Sequence, residues 1–430
     1  MQNLIMQIIE TSAHEDDPIL VEKQPKRISR FTIILSIINL CAGSGVGYAL
    51  PNAAAFTGPS FAFMVCILSA FLSWYSLDLL TKHLSPESFN LNDEILISRF
   101  PKTKPYVLLL TRGSSFILHG TYIVSNFLYI DYTLQSLAWD HHHIPRAWQI
   151  IVTLAIMTIL SLVLSDSLSA KISAVGSLVP FVNLIAVLYF GIKKSSIADR
   201  QCLRDSFVHP YSYGLFSSSK KAGAKAIFQL FSQYYSSYYA HNSFPSLAVY
   251  AKKHHTLRKD AFTAVFVMMI YYALSAMIGQ MPYACYGYTS SVYPPSDYIS
   301  IFANSAFGDF ISVFFLLGLI GNTPYAFTVT RVMVFQWVDW SGRRKLRYLC
   351  YIIFNCIILT IAALIDAFNV SIQTLLQVGG IFCACIWMSI LPVFWEVYIA
   401  RTRNFKIISI TVAVAVGLTI MLTEFLQFKV

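Results

Sequence analysis

Apolar runs of membrane-crossing length follow one another along this chain, separated by short polar connections. Eleven such runs lie near residues 30–56, 59–82, 105–131, 147–165, 172–192, 223–250, 261–288, 299–333, 347–366, 369–397 and 407–427. A helix needs only about 18 to 25 largely apolar residues to cross the hydrocarbon, so each run predicts one span. Two runs break their own pattern. The first, from Phe31 to Leu50, holds Asn39, Cys41, Ala42, Gly43, Ser44, Gly45 and Gly47 at its centre and is closed by Pro51. The sixth holds Gln229, Gln233, Ser236, Ser237, His241, Asn242, Ser243 and Pro245 at a comparable depth. Lipid cannot hydrogen-bond a released peptide group, so an interrupted membrane helix must face protein or a polar cavity at its break.

Two interrupted helices five spans apart are what a five-plus-five inverted repeat places around one central site. The eleventh span is then an appendage. At such a break the released amides suit a carboxylate and the released carbonyls suit a small cation. The pattern therefore predicts an all-α membrane protein of about 11 helices, with a polar tail over residues 1–29 and a transporter domain over 30–427.

Composition agrees: 56% of the 430 residues are hydrophobic and 12% are charged, which no ordinary soluble core accommodates. About twenty Lys and Arg fall in the predicted inner segments against about eight in the outer ones, placing the amino terminus in the cytoplasm. The long basic loop from Lys193 to Lys221 runs against that rule, which weakens with loop length. A net charge of +10 is spread over short loops, so topology and anionic lipid account for it and no nucleic-acid surface is implied.

Six of the eight cysteines lie in apolar runs and read as packing residues. Cys202, in the long outer loop, and Cys285, at the outer end of span seven, face an oxidising compartment and either pair or remain thiols. His141, His142 and His143 are neighbours in a loop, a poor arrangement for converging on a metal, and no metal site is predicted. No nucleotide-binding loop or hydrolase signature occurs, so neither an ATP-driven pump nor an enzyme of those classes is expected.

Two stretches carry a resemblance. Asn39-Leu-Cys-Ala-Gly43-Ser-Gly45-Val-Gly-Tyr-Ala-Leu-Pro51 resembles the first-helix signature of the amino acid/auxin permease family. Tyr239-Ala-His241-Asn-Ser-Phe244-Pro245 resembles the sixth-helix segment of its vacuolar amino acid transporters. The resemblance implies a LeuT-like secondary transporter of amino acids, driven by a sodium or proton gradient and without a cofactor. It implies a plasma membrane or a vacuolar or lysosomal membrane as the location. It also implies that Asn39 helps bind Na+, with Thr323 of span eight as its counterpart. Many relatives carry Gly where this chain has Ala240, so the sixth helix is expected to unwind less readily.

The candidate substrate contacts are Asn39, Gly43, Ser44, Gly45, Tyr239, His241 and Asn242. The amides of Gly43, Ser44 and Gly45 suit a substrate carboxylate; the same glycines also fit close helix packing. His241 either lines the cavity, carries a proton or merely satisfies the break. Tyr234, Tyr235, Tyr238 and Tyr239 form an aromatic wall that gates or packs. Asn322, Thr323 and Pro324 are expected to break span eight, and Arg331 to snorkel or pair with a carboxylate. Asp131 and Glu396 read as interface or gate charges. With no mid-membrane acid set against a cationic side chain, neutral amino acids are the expected substrates. Two other classes fit parts of the pattern: a membrane-bound acyltransferase built around His241, and a transporter-like amino acid sensor.

Overall fold

A computed structural model of the chain describes residues 29–42, 59–83, 105–106, 113–134, 137, 145–162, 172–173, 176–193, 230, 233–235, 237–241, 244, 251, 254–285, 306–335, 343–368 and 388. Eight long helices occur among them. They are α1 (Arg30–Ala42), α2 (Pro59–His83), α3 (Ser114–Leu134), α4 (Arg146–Ser161), α5 (Val179–Lys193), α6 (Leu257–Cys285), α7 (Ala306–Phe335) and α8 (Arg344–Ala367). These correspond to spans one to five and seven to nine. Four contain stretches long and apolar enough to cross a membrane: Phe61–Leu79, Leu257–Ile278, Gly308–Arg331 and Lys345–Ala367. The lipid-facing character is visible on α8, where Leu349, Ile353, Ile357, Ile361 and Leu364 are exposed apolar side chains.

The helices pack in two groups. One joins α6 to α1 and α2; the other joins α3, α4, α7 and α8; α5 packs on both α6 and α7. Ion pairs fasten each group. Arg30 of α1 reaches Asp260 of α6 at 2.7 Å, and Thr256 donates to the other oxygen of that carboxylate at 2.9 Å. Arg258 of α6 pairs with Asp78 of α2. In the second group Arg146 of α4 pairs with Asp131 of α3 and with Asp366 of α8, the latter through both carboxylate oxygens at 2.7 and 2.8 Å. Thr153 adds a hydrogen bond of 3.0 Å to Asp131. Asp131 therefore sits inside a network linking three helices, which refines its reading as an interface charge.

Two sequence expectations are corrected. Helix α7 runs through Pro324 without interruption. The Thr323 hydroxyl bonds back to the carbonyl of Leu319 at 2.7 Å, within the same unbroken helix. Of the two readings of Arg331, snorkelling to the surface is overturned. Arg331 is buried, and its guanidinium donates to the carbonyl of Ser161 at 2.6 Å and to the Thr328 hydroxyl at 3.0 Å. Asn355 of α8 donates to the same Ser161 carbonyl at 3.2 Å. The last carbonyls of a helix have no partner within it, so two side chains from α7 and α8 close the end of α4.

Close approach fixes the segment just ahead of α5 against α7. A Cβ on Gly321 would lie 3.0 Å from the Cα of Gly176 and 3.3 Å from the carbonyl of Ile172. Only two glycines permit that backbone contact.

Candidate functional site

The sixth apolar run is interrupted where its polar residues predict. The chain is helical at Ser237, turns at Tyr238, has no regular structure at Tyr239 and Ala240, and turns again at His241. A helical turn resumes with the Phe244 amide donating to the Ala240 carbonyl at 3.0 Å. The interruption includes Ala240, and neighbouring helices take up the released carbonyls. Ser73 of α2 donates its hydroxyl to the Tyr238 carbonyl at 3.0 Å, and Tyr272 of α6 lies 3.2 Å from the Ser237 carbonyl. His241 is fully buried, with its Nε2 3.2 Å from the Ser73 carbonyl. A carbonyl only accepts, so Nε2 carries the proton and Nδ1 keeps its lone pair in the neutral ring. That Nδ1 is buried and has no hydrogen-bond partner.

The first run reaches the same place. The Tyr272 hydroxyl donates to the carbonyl of Cys41 at 2.6 Å, two residues ahead of Gly43. One hydroxyl thus lies between α1 and the interrupted sixth segment. The tyrosine wall packs around it: Tyr238 meets the Tyr272 ring edge-on at 5.2 Å, and the Tyr238 hydroxyl is 3.0 Å from the Cys66 sulfur. Tyr239 lies beside His241, with ring centroids 5.9 Å apart.

Asn39 occupies the other side of α1 from this junction in chemical terms, because its partners belong elsewhere. Its amide nitrogen donates to the hydroxyl of Ser173 and to the side-chain oxygen of Asn322 at 3.1 Å. The predicted counterpart, Thr323, is the next residue along α7, and its hydroxyl accepts from Asn126 of α3 at 3.3 Å. Asn39 thus meets Ser173 and Asn322, and the next residue of α7, Thr323, meets Asn126, so two neighbouring sets of hydroxyl and amide groups lie along α7. Oxygen-rich sets of this kind suit hard cations such as Na+.

Of the sequence-predicted residues, the structure brings Asn39 to Asn322, the residue before Thr323, His241 to Ser73 of α2, and Tyr239 beside His241. Gly43, Ser44, Gly45, Asn242 and Cys202 lie outside the described residues, as do Glu396, the histidines at 141–143 and the tenth and eleventh spans apart from residue 388. Cys285 is the last residue of α6, and its side chain is likewise outside them. Sequence reasoning did not single out Ser73 or Tyr272. Each sits on an uninterrupted helix, and only the two broken runs could have pointed to a need for such partners.

No family model matches the chain, and no curated protein matches it. Among solved structures, it is similar to a Na+-coupled sialic acid symporter in a substrate-bound, outward-open state. The TM-score is 0.59 at 12% identity, over 92% of this chain and 89% of that one. The likeness therefore extends over almost the whole of both chains. It shows the fold: this is an all-helical membrane protein with the architecture of that transporter.

Proposed function

We propose that the protein is a secondary active transporter that moves amino acids, most suitably neutral ones, by alternating access around interrupted first and sixth helices. In this reading the chain is a member of the amino acid/auxin permease family, with a LeuT-like five-plus-five repeat and one added helix. The observation that carries it is the meeting of two polar, glycine- or serine-rich runs at one buried point, Cys41 and Ser237 both lying within reach of the Tyr272 hydroxyl. Gly43, Ser44 and Gly45 would offer amides to the substrate carboxylate, and Tyr239, His241 and Asn242 would face it from the sixth segment. Asn39 and Thr323 would serve a coupling Na+ through the polar set linking α1 and α7; a proton is the other candidate ion.

Uptake into proteoliposomes tests this directly. Purified protein is given labelled neutral, cationic and anionic amino acids, and sialic acid, under imposed sodium or proton gradients. Gradient-driven accumulation of a neutral amino acid is expected, and Gly43→Val is expected to abolish it without loss of membrane insertion. Binding without flux would instead select the sensor, and acyl transfer from a coenzyme A donor, lost in His241→Ala, would select the enzyme.

A further inference from the structure

The carbonyl of Cys41, in the last described turn of α1, and that of Ser237, at the sixth-segment break, bring partial negative charge to one buried point, and in a membrane something must neutralise it. Here a phenol does so. The Tyr272 hydroxyl is 2.6 Å from the Cys41 carbonyl and 3.2 Å from that of Ser237, while its ring is fully buried against Tyr238 and Tyr271. We propose that Tyr272 is a positioning residue for transport: its single hydroxyl proton holds the end of α1 against the sixth-segment break and so sets the spacing of the two half-sites that clasp the substrate. This rests on the transporter reading above and assigns a role to a residue of an unbroken helix.

The geometry favours this over plain packing. A buried tyrosine that only fills space needs one acceptor for its hydroxyl, which its own or an adjacent helix turn can supply. Tyr272 instead reaches two acceptors on segments far apart in sequence, and Ser73 serves the next carbonyl, that of Tyr238, from the opposite helix. A hydroxyl has one proton to give, so the bond is strongest to Cys41 while the contact to Ser237 stays within reach.

Tyr272→Phe removes the hydroxyl and keeps the ring. The expected result is a rise of about tenfold in KM for the transported amino acid, as loss of about 1.4 kcal/mol of half-site organisation would produce, with maximal rate per inserted transporter within about threefold of the parent. A second reading is independent of transport: maleimide labelling of the Cys41 thiol, followed by mass spectrometry of its peptide, should quicken several-fold while that of Cys350 on α8 stays unchanged. 4-Aminophenylalanine at position 272, which restores an N–H donor, should return both towards the parent. If Tyr272→Phe fails to insert, 4-fluorophenylalanine keeps the shape without a proton and should give the same two changes. Unchanged KM and unchanged Cys41 labelling in the variant would overturn the inference. A parent protein that accumulates no amino acid would overturn the transporter reading instead, and the labelling result would still decide whether the hydroxyl joins the breaks.

Discussion

Asn39 of α1 donates its side-chain amide to the side-chain oxygen of Asn322 of α7 at 3.1 Å, and the same nitrogen serves the hydroxyl of Ser173. This bond crosses between the two helix groups, in contrast to the ion pairs that fasten each group internally. In the proposed transporter such a contact would form and part with each cycle, and it should then matter more to turnover than to stability.

Asn39→Ala should therefore cost little stability and much transport. Interhelical hydrogen bonds in membranes contribute about 0.6 kcal/mol on average and about 1.7 at most. Thermal unfolding in detergent should shift by only a few degrees, while initial uptake in proteoliposomes falls by about tenfold or more. A fall in uptake matched by a comparable fall in folded protein would count against a role in coupling.

Gly321→Ala and Gly120→Ala should behave in opposite ways. A methyl at Gly321 meets backbone 3.0 Å away, which can yield only by moving α7 from the Gly176 segment, and overpacking of this kind costs about 1–3 kcal/mol. A methyl at Gly120, within α3, meets nothing within 4 Å, so alanine there should be neutral or stabilising by up to about 1 kcal/mol through helix propensity. Melting temperatures of the two variants beside the parent decide it.

Arg146→Gln removes the cation from a cluster holding two carboxylates, Asp131 and Asp366. Breaking a fully buried pair costs about 3–5 kcal/mol, but the Arg146 side chain is 42% exposed, so about 1–3 kcal/mol is expected. Adding Asp366→Asn to Arg146→Gln should recover part of that loss, because one uncompensated carboxylate is then gone. A double variant less stable than the single would contradict the charge argument.

At the other group, order is the test. The Asp260 side chain is fully buried while that of Arg30 is half exposed. Arg30→Met strands a buried carboxylate with Thr256 as its one other partner among the described residues, whereas Asp260→Asn returns Arg30 to water. Arg30→Met should lower the melting temperature more, and the reverse order would show that the carboxylate finds another cation.

Much of this site was legible before the structure. Asn39, Tyr239 and His241 stood out because polar residues within an apolar run demand an explanation, and the interruption of the sixth run falls at Tyr238 to His241 as that argument requires. Proline was the misleading signal. Pro324 reads as a break, yet α7 continues through it. At the sixth segment the freed carbonyls are captured by Ser73 and Tyr272. Those two partners could not be read, since one serine in α2 and one tyrosine among 25 in the chain follow the ordinary pattern of their helices. Their meaning depends on which helices become neighbours, and that information is tertiary.

Ser73 grips the sixth segment twice, giving its hydroxyl to Tyr238 and lending its carbonyl to His241. Successive residues on a helix point about 100° apart, so deleting one residue between Pro59 and Ser73 would swing both grips away at once if the amino-terminal end of α2 kept its place. The reading frame of α2 is thereby tied to a gap in another segment. The count of residues inside this helix is held by a contact that lies outside it.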